Sequence, residues 1–395
     1  MRTAIVGGGA AGFFCALELK KRCGNAMDVT IFEQQRKVLS KVEISGGGRC
    51  NCTNSFRDVT DLRQVYPRGG QLLKRLFKVF SPKDAYAWFE EHGVELVTQD
   101  DQCVFPKAQD SHAIIACFLR MADELGVNIR MNNKVEVPSD LLEAYDFVVW
   151  TVGGLSTSAQ MSLSNSLTLT PCVPSLFTFN IKDKALNNLM GSVVENAIVS
   201  IPGTKFKVQD ALLITHWGVS GPATLKLSSH AARFLSECNY RAPILVNWTG
   251  EANAELVREE LNSIIGANGQ KMLSSYRPFG LQQRLWDYLL GKLDMRCRWN
   301  ELGKKNMNKL VDVLTNDHYR IEGRAAFKDE FVTCGGVSLD SINKNTLESK
   351  DIPRLYFAGE VLDIDGVTGG FNFQAAWTTG YVVAEAISKS CLESG

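Results

Sequence analysis

A glycine-rich turn near the start of the chain has the residue types and spacing to hold a dinucleotide. The run Gly7–Gly12 (GGGAAG) follows apolar residues that end at Val6, and a helical pattern follows it. A second apolar run ends at Glu33, 21 residues after Gly12. Glycines let a backbone approach a pyrophosphate at a helix N-terminus, and an acid about 20 residues later can bind ribose hydroxyls. The pattern predicts a nucleotide-binding βαβ unit; a glycine turn in an ordinary βα unit is the alternative.

A second cluster of glycines and polar residues lies at 45–54 (SGGGRCNCTN). Three consecutive glycines can adopt positive φ and lie flat against a ligand, and Arg49 and Asn51 add hydrogen-bonding groups. We therefore predict a second ligand-contacting loop; a flexible surface loop is the alternative. Cys50 and Cys52 suggest a redox disulfide, but a single intervening residue would strain the ring, which disfavours that interpretation.

Two later segments end in small residues, as strands do where an α/β sheet places its ligands. Residues 145–150 predict a buried strand, and residues 355–357 predict another. After the second, the glycine-rich stretch 363–374 opens a predicted helix that reaches about Ser388. If the last strand joins the first sheet, the two ends of the chain close one site and the middle is an insertion.

The middle of the chain has a different pattern. Short β runs separated by Gly and Pro predict a small β-barrel or sandwich, helical periodicity follows, and the polar stretch 156–170 predicts a linker. His216 lies in a turn-forming motif, THWGVSGPA, and is a candidate catalytic residue, with a structural role as the alternative. The predicted domains are an α/β domain of residues 1–170 and 335–395, a β-barrel-like domain of 171–250 and 321–334, and a helical subdomain of 251–320.

Composition restricts the classes of partner. The 395 residues carry 43 Lys and Arg and 43 Asp and Glu, and zero net charge argues against a duplex-wide phosphate footprint, although a local basic patch stays open. No apolar run reaches the roughly 18 residues of a membrane span. Eleven scattered cysteines without a CxxC pair predict reduced thiols in the cytoplasm and no metal site. Only two residues separate Met1 from the first strand, so we expect no signal peptide.

Four motifs together resemble one known family: GGGAAG with Glu33, SGGGRCNCTN, THWGVSGPA and LYFAGEVLDIDGVTGGFNFQAAWTTG. They are similar to motifs of bacterial FAD-dependent flavoproteins that include aminoacetone oxidase and a bile-acid-intermediate reductase, and the similarity covers nearly the whole chain. The resemblance implies an α/β fold with a glutathione-reductase-like Rossmann FAD domain from both ends of the chain. The barrel and the helical subdomain would be insertions in that domain.

The resemblance also implies a role for each motif in binding FAD. The first glycine turn would hold the pyrophosphate, Glu33 the AMP ribose and Val135 the adenine. The 45–51 loop would line the flavin, residues 359–365 would hold the ribityl-diphosphate, and the last helix would direct N–H groups at the pyrimidine edge, where reduced flavin is negative. The implied FAD-binding residues are Gly7, Gly9, Ala10, Ala11, Gly12, Glu33, Ser45, Gly46, Gly47, Arg49, Cys50, Asn51, Val135, Gly153, Gly359, Glu360, Asp365, Gly370, Asn372, Phe373 and Gln374.

Two positions depart from the pattern of the family. Relatives carry a longer glycine-rich stretch after the strand that ends at 150, whereas here Gly154 runs directly into LSTSAQMSLSNS. Thr151 stands where alanine is commoner. Substrate or cofactor contacts that belong to the longer stretch are therefore not predicted for this chain.

These observations predict an FAD-dependent oxidoreductase that acts on an unidentified small molecule and passes electrons to oxygen or to an unsaturated carbonyl compound. A second GxGxxG is absent, so NADH or NADPH would bind only transiently. Arg49 and His216 are the candidate catalytic residues, because each lies in a glycine-rich loop. The alternatives are an RNA-modifying or RNA-associated flavoprotein, a non-catalytic flavin-binding module, and a dehydrogenase that binds NAD alone. Zero net charge and the lack of an aromatic-basic stripe disfavour nucleic acid.

Overall fold

The computed structural model describes residues 1–164, 167–324 and 332–393. The chain forms two compact units, Met1–Pro174 with Lys328–Gly395, and Ser175–Phe327. The helices that the sequence assigns to a separate subdomain belong to the same unit as the barrel strands. Residues 325–331, which belong to the predicted barrel-like segment 321–334, lie outside the described residues.

Helices and strands are mixed along the first segment of the chain, which ends at Ser175. The first segment contains β1 (Arg2–Val6), β2 (Asp28–Phe32), β3 (Thr53–Asn54), β4 (Leu96–Thr98), β5 (Cys103–Pro106), β6 (Asn128–Arg130), β7 (Phe147–Trp150) and β8 (Leu169–Ser175). Its helices are α1 (Ala10–Cys23), α2 (Ser40–Gly48), α3 (Leu62–Val65), α4 (Gly70–Leu76), α5 (Pro82–Glu91), α6 (His112–Leu125) and α7 (Thr157–Leu163).

The second unit and the closing segment complete the chain. The second unit contains β9 (Phe179–Ile181), β10 (Val193–Ser200), β11 (Lys207–Thr215), β12 (Gly218–Ser220), β13 (Arg241–Asn247) and β14 (Asp317–Arg324). Its helices are α8 (Lys184–Asn187), α9 (Pro222–His230), α10 (Ala232–Glu237), α11 (Ala254–Asn268), α12 (Gln283–Leu293) and α13 (Gly303–Thr315). The chain ends with β15 (Val332–Val337), β16 (Leu355–Phe357) and α14 (Phe371–Glu393).

A five-stranded parallel sheet lies at the centre of the first unit, with strand order β16-β7-β1-β2-β6. All four residues of β7 are buried, and so are the last four of β1 and of β2. Parallel strands are covered on both faces, which explains why these segments appear in the sequence as uninterrupted apolar runs. Because β16 pairs with β7, the predicted return of the last strand to the first sheet is confirmed.

Helices α1 and α14 pack closely enough that their backbones nearly touch. A Cβ atom built on Gly380 of α14 would lie 2.9 Å from the carbonyl oxygen of Ala11 in α1, so only glycine fits there. Beside this contact, the Trp377 ring lies 5.5 Å from that of Phe14 and 5.4 Å from that of Phe89. The Trp377 Nε1–H donates to the Cys52 carbonyl oxygen over 2.7 Å. The C-terminal helix is thus part of the core of the first unit.

The second unit contains a closed six-stranded barrel with strand order β10-β11-β12-β9-β14-β13. The predicted Rossmann-type α/β fold with an inserted β-barrel and helical segments is confirmed. The THWGVSGPA motif forms the β11–β12 turn and then starts α9, a helix that the sequence analysis missed. Gly218 has φ +147°, and a Cβ there would lie 2.3 Å from the Phe179 carbonyl oxygen. The glycine of this motif is therefore required by the close packing of the barrel strands β12 and β9.

Local capping signals decide several helix ends. Ser81 caps α5 in a reciprocal capping box with Asp84, and Gly126 closes α6 in the left-handed conformation. The linker prediction for 156–170 was wrong, because the Ser156 side chain accepts from the Ala159 N–H and caps α7 there. Serine-rich composition does not distinguish a linker from a capped helix.

Among residues 1–164, 167–324 and 332–393, no helix combines the length and the apolar character that crossing a membrane requires.

Trp377 tests how far the fold depends on the α1–α14 contact. The Trp377→Ala variant removes a fully buried ring, and we expect it to lower the free energy of unfolding by about 3–5 kcal/mol in urea denaturation. Met161→Ala is the control, because Met161 is 71% exposed and its replacement should change that free energy by no more than about 0.5 kcal/mol. Equal effects of the two substitutions would contradict this assignment.

Candidate functional site

The first glycine turn is formed by two backbone contacts that leave no room for side chains. Gly7 has φ +112°, and a Cβ there would lie 2.3 Å from the Thr151 carbonyl oxygen. A Cβ on Gly12 would lie 2.0 Å from the Gly7 carbonyl oxygen. The Thr151 hydroxyl donates to the carbonyl oxygens of Val6, over 3.0 Å, and of Gly7, over 2.9 Å. These contacts bind the ends of β1 and β7 to the start of α1.

Gly9 differs from these packed glycines. Its φ is −93°, which any residue adopts, and no protein atom lies within 4 Å of the place where its Cβ would be. The first N–H groups of a helix have no acceptor within the helix. Gly9, which precedes α1, has no side chain that could accept from them. Open space above unpartnered N–H groups at a helix N-terminus is the arrangement that binds phosphate.

Glu33 joins the end of β2 to this turn. Its Oε2 accepts from the Gly8 N–H over 2.9 Å, and its Oε1 accepts from the Gln35 N–H over 2.8 Å. Each carboxylate oxygen can accept a second hydrogen bond, so both remain able to accept from ribose hydroxyls. The position predicted for the ribose acid is therefore compatible with that role.

These residues line a cavity of about 480 Å³ in the first unit. A second cavity of about 360 Å³ shares Gly7, Glu33, Gln34 and Val152 with it and is lined by Val135, the residue predicted to lie at the adenine. The predicted FAD-binding residues that line the larger cavity are Gly7, Gly9, Ala10, Ala11, Glu33, Ser45, Gly46, Gly47, Gly153, Gly359, Glu360, Asn372 and Phe373. Residues from four separate parts of the sequence thus share one cavity.

The 45–51 segment reaches the cavity through a break at the end of α2. Gly46, Gly47 and Gly48 have φ of +57°, +68° and +83°, which confirms the predicted positive φ. Cys50 and Cys52 are fully buried free thiols, and burial raises the pKa of the Cys50 thiol to about 12. A thiol with such a pKa is almost entirely protonated at neutral pH, which agrees with the rejection of a redox disulfide.

Several residues predicted for the site do not line the larger cavity. Arg49 lies with its guanidinium carbon 4.3 Å from the Phe105 ring centroid, and it donates to the Gly46 carbonyl oxygen over 3.2 Å. Asp365 is fully buried and paired with Arg68. His216 is exposed in the β11–β12 turn of the second unit. The predicted FAD-binding residues outside the larger cavity are Gly12, Arg49, Cys50, Asn51, Val135, Asp365, Gly370 and Gln374.

Gln374 has a structural contact that explains its position. Its Oε1 accepts from the Thr53 hydroxyl over 2.6 Å, and its Nε2 donates to the Thr378 hydroxyl over 3.0 Å. Its backbone N–H donates to the Gly370 carbonyl oxygen, as in the first turn of a helix. This buried network attaches α14 to β3, and so it holds the start of α14 in place.

The start of α14 carries the groups that face the larger cavity. Asn372 and Phe373 line it, whereas the Asn372 side chain is occupied with Gly366, accepting from its N–H over 2.8 Å and donating to its carbonyl oxygen over 2.9 Å. The Tyr66 hydroxyl donates to the Phe371 carbonyl oxygen over 2.8 Å. The N–H groups of the first three residues of α14 precede the first intrahelical hydrogen bond and have no acceptor within the helix, so this end of the cavity is electropositive.

An ion pair at the cavity wall was not predicted from the sequence. Lys41 of α2 lies with its Nζ 2.9 Å from Oε2 of Glu360, and the attraction of that carboxylate raises the pKa of Lys41. Oε1 of Glu360 accepts from the Thr333 N–H over 2.8 Å. The partners are 319 residues apart, so no local spacing could have indicated the pair. Lys41 thus compensates the negative charge of Glu360, which lines the cavity as Glu33 does.

The cavity fits FAD on two observations. The space where a Gly9 side chain would project is open to the cavity, and the N-termini of α1 and α14 both belong to its lining. The N-terminus of α1 can bind the phosphates, and Glu33 with the adjoining cavity can bind the adenosine. The N-terminus of α14 can stabilise a ring system that gains negative charge. Gly9, Ala10 and Ala11 would therefore contact the diphosphate, and Asn372 and Phe373 the flavin.

Substitutions at Gly9 and Gly12 distinguish an effect on ligand binding from an effect on packing. Gly9→Val places a side chain in open cavity, so we expect the free energy of unfolding without FAD to change by no more than about 1 kcal/mol. The FAD dissociation constant should rise at least tenfold, which corresponds to about 1.4 kcal/mol. Gly12→Ala should instead lower that free energy by about 1–3 kcal/mol or more through overpacking. Urea denaturation and FAD fluorescence titration measure the two effects, and unchanged FAD affinity in Gly9→Val would contradict the site.

Substitutions in the Lys41–Glu360 ion pair test whether this pair contributes to FAD binding. Lys41→Met leaves the Glu360 carboxylate uncompensated at the cavity wall, and we expect about tenfold weaker FAD binding, or about 1.4 kcal/mol. The Lys41→Met and Glu360→Gln double variant should recover most of that loss in the same FAD titration. Lys37→Met is the matched control, because Lys37 also lines the cavity but pairs with Glu43. An equal loss in Lys37→Met would show a general charge effect.

Comparisons with known proteins agree with this geometry. The family model described as HI0933-like protein Rossmann domain matches residues 1–386. The chain is 28% identical over 416 residues to a ribosomal RNA dihydrouridine synthase of Haemophilus influenzae, with 98% of each chain covered. It is 25% identical over 413 residues to a 3-dehydro-bile acid delta(4,6)-reductase of Clostridium scindens, with 98% of this chain and 99% of that protein covered.

A solved structure, the open conformation of a flavocytochrome c3 fumarate reductase, covers 99% of this chain and 78% of its own, with 17% identity and a TM-score of 0.45. The family model spans both ends of the chain and therefore includes every motif on which the resemblance was based. The resemblance to FAD-dependent flavoproteins is confirmed, and the chain belongs to the HI0933-like family of FAD-binding Rossmann-type oxidoreductases.

Proposed function

We propose that this protein is an FAD-dependent reductase that adds hydrogen across a carbon–carbon double bond conjugated with a carbonyl group. FAD, once reduced by a nicotinamide donor, would supply the hydride for the carbon β to the carbonyl and return to its oxidised form, and a proton from an acid or from water would complete the α carbon. The observation that carries the proposal is that two residues of the first turn of α14, Asn372 and Phe373, line the cavity where the flavin ring would fit. The positive end of the helix dipole at this turn would stabilise negative charge on the reduced cofactor.

The names of two relatives support this class of reaction. Dihydrouridine is uridine that has been reduced at a ring double bond conjugated with a carbonyl, and one relative is named a ribosomal RNA dihydrouridine synthase. The other is named a delta(4,6)-reductase of a 3-dehydro-bile acid, and its double bonds are conjugated with the 3-keto group. The two substrates differ in size and polarity, so the shared feature is the activated double bond.

The residues that line the cavity would bind and orient the cofactor. Gly9 and the start of α1 hold the diphosphate, Glu33 the ribose, and Lys41 neutralises Glu360 beside them. Neither Arg49 nor His216 lines the cavity, so both remain only the candidates that the sequence suggests for an acid or base.

The electron donor that we propose is NADH or NADPH, bound transiently. The described residues contain one glycine-rich β1–α1 turn of the dinucleotide-binding type, and FAD occupies it in this proposal. A nicotinamide donor would therefore reach the flavin without a Rossmann domain of its own. All eleven cysteines are free thiols, which supports the prediction that the protein works in the cytoplasm.

The test is an anaerobic visible spectrum of the purified holoprotein. We expect NADH or NADPH to bleach the flavin band, and a 4-ene-3-ketosteroid or a uridine-containing RNA to restore it. The product should gain two mass units, the mass of the two added hydrogens. Gly9→Val, loaded to the same FAD concentration, is the control for a reaction of free flavin. A band that neither nicotinamide bleaches, or a reduced flavin that neither acceptor reoxidises, would overturn the proposal.

A further inference from the structure

Charge is distributed unevenly along the chain although its total is zero. Residues 271–309 contain nine basic and three acidic residues, a net charge of +6, so the remainder of the chain carries −6. The basic residues of this segment are Lys271, Arg277, Arg284, Lys292, Arg296, Arg298, Lys304, Lys305 and Lys309. All nine are exposed in the second unit. Lys292 is paired with Asp317 outside the segment, and the other eight basic residues form the local basic patch that the composition left open.

Two of these lysines occupy positions that disfavour the helix they belong to. Lys304 and Lys305 lie in the first turn of α13, where no acidic residue is present to balance them. A helix N-terminus carries partial positive charge, so cations there are unfavourable. Among the described residues, no carboxylate forms an ion pair with either lysine. Their placement is therefore not explained by the stability of the fold.

Short backbone contacts bring the basic residues together. The Trp299 N–H donates to the Lys271 carbonyl oxygen over 3.0 Å, and the Leu273 N–H donates to the Cys297 carbonyl oxygen over 3.0 Å. Met272 and Arg298 pair across this antiparallel bridge. Lys271 and Arg298 thus lie on adjacent segments, and the chain passes from Arg298 into the first turn of α13 within a few residues.

An exposed aromatic ring lies within the same patch. Tyr276 is 37% exposed, and its ring centroid is 5.8 Å from the Lys271 Nζ. The ring packs edge-on against the buried Trp299 at 6.4 Å, and Trp299 stacks on the buried Trp286 at 6.2 Å. A ring held by the core beside a lysine of a basic segment is the arrangement that stacks with bases of single-stranded nucleic acid while the cations of the segment bind phosphates.

We infer that this basic surface, defined as residues 271–309, is where the protein docks RNA. The inference rests on the proposed function in one respect, because RNA would bring a uracil base as the activated double bond. Charge complementarity supports the choice of partner, since +6 on one segment of a neutral chain matches a phosphate backbone. It also argues against the expectation, drawn from the total charge, that nucleic acid is not a partner.

The test measures RNA binding by the FAD-loaded full chain, with no turnover required. The probe is a fluorescein-labelled RNA hairpin with a uridine-rich single-stranded loop, titrated by anisotropy between 50 and 200 mM salt. The variant is Lys304→Glu with Lys305→Glu, which should not disturb folding because acids in the first turn of α13 favour the helix. The matched control is Lys205→Glu with Lys207→Glu, two exposed lysines of the same unit outside the basic surface.

We expect the α13 variant to bind the hairpin at least tenfold more weakly. The slope of log affinity against log salt should become shallower by about 1.4, the contribution of two phosphate contacts to a single strand. The control variant should retain its affinity within twofold. No RNA binding by the unaltered protein, or equal losses in the two variants, would overturn the docking surface.

The same samples distinguish this inference from the proposed function. A holoprotein that reduces the steroid enone but does not bind the hairpin contradicts only the docking surface. A holoprotein that binds the hairpin through the α13 lysines but reduces neither acceptor contradicts only the reductase activity.

Discussion

The close packing of α1 against α14 is the constraint on which the FAD site depends. A Cβ on Gly380 would clash with the Ala11 carbonyl oxygen, and a Cβ on Gly359 would lie 2.8 Å from the Ala11 Cβ. These contacts place the N-terminal and C-terminal glycine turns at the same edge of the parallel sheet, beside the adjacent strands β1, β7 and β16. One cavity thereby receives two helix N-termini, one from each end of the chain. A dinucleotide with a diphosphate at one point and a redox-active ring at another can use both.

The charges around the cavity are consistent with a cofactor that carries negative charge. Glu33 and Glu360 line the cavity and would repel phosphate if they were uncompensated. Glu33 accepts from two backbone N–H groups, and Glu360 is paired with Lys41 and accepts from the Thr333 N–H. The hydrogen bonds to Glu33 and the ion pair of Glu360 reduce the repulsion that these carboxylates exert on a neighbouring anion. The helix dipoles then determine the sign of the potential.

The glycines of the site fall into two groups with different consequences for evolution and engineering. Gly7, Gly12 and Gly359 are required by the protein itself, because backbone or side-chain atoms occupy the place of a Cβ. Gly9 has open space there and a φ that any residue adopts, so its lack of a side chain serves the ligand. A sequence motif cannot separate the two groups, although both contribute to the same glycine-rich signature. Substitutions in the first group test folding, and substitutions in the second test binding.

The resemblance to a family supplied the return of the last strand to the first sheet and the choice of a barrel over a sandwich. The residue patterns by themselves determined the βαβ unit at the start of the chain and the buried strand β7. These features depend on patterns between neighbouring residues, such as the apolar run of β7, the turn at Gly7–Gly12 and the Ser81 cap, which a sequence displays directly. Only the tertiary structure paired Lys41 with Glu360, buried Asp365 against Arg68, and engaged Gln374 with Thr53. Those partners are separated by 319, 297 and 321 residues, and their meeting is set by how helices and strands pack, which no local spacing encodes.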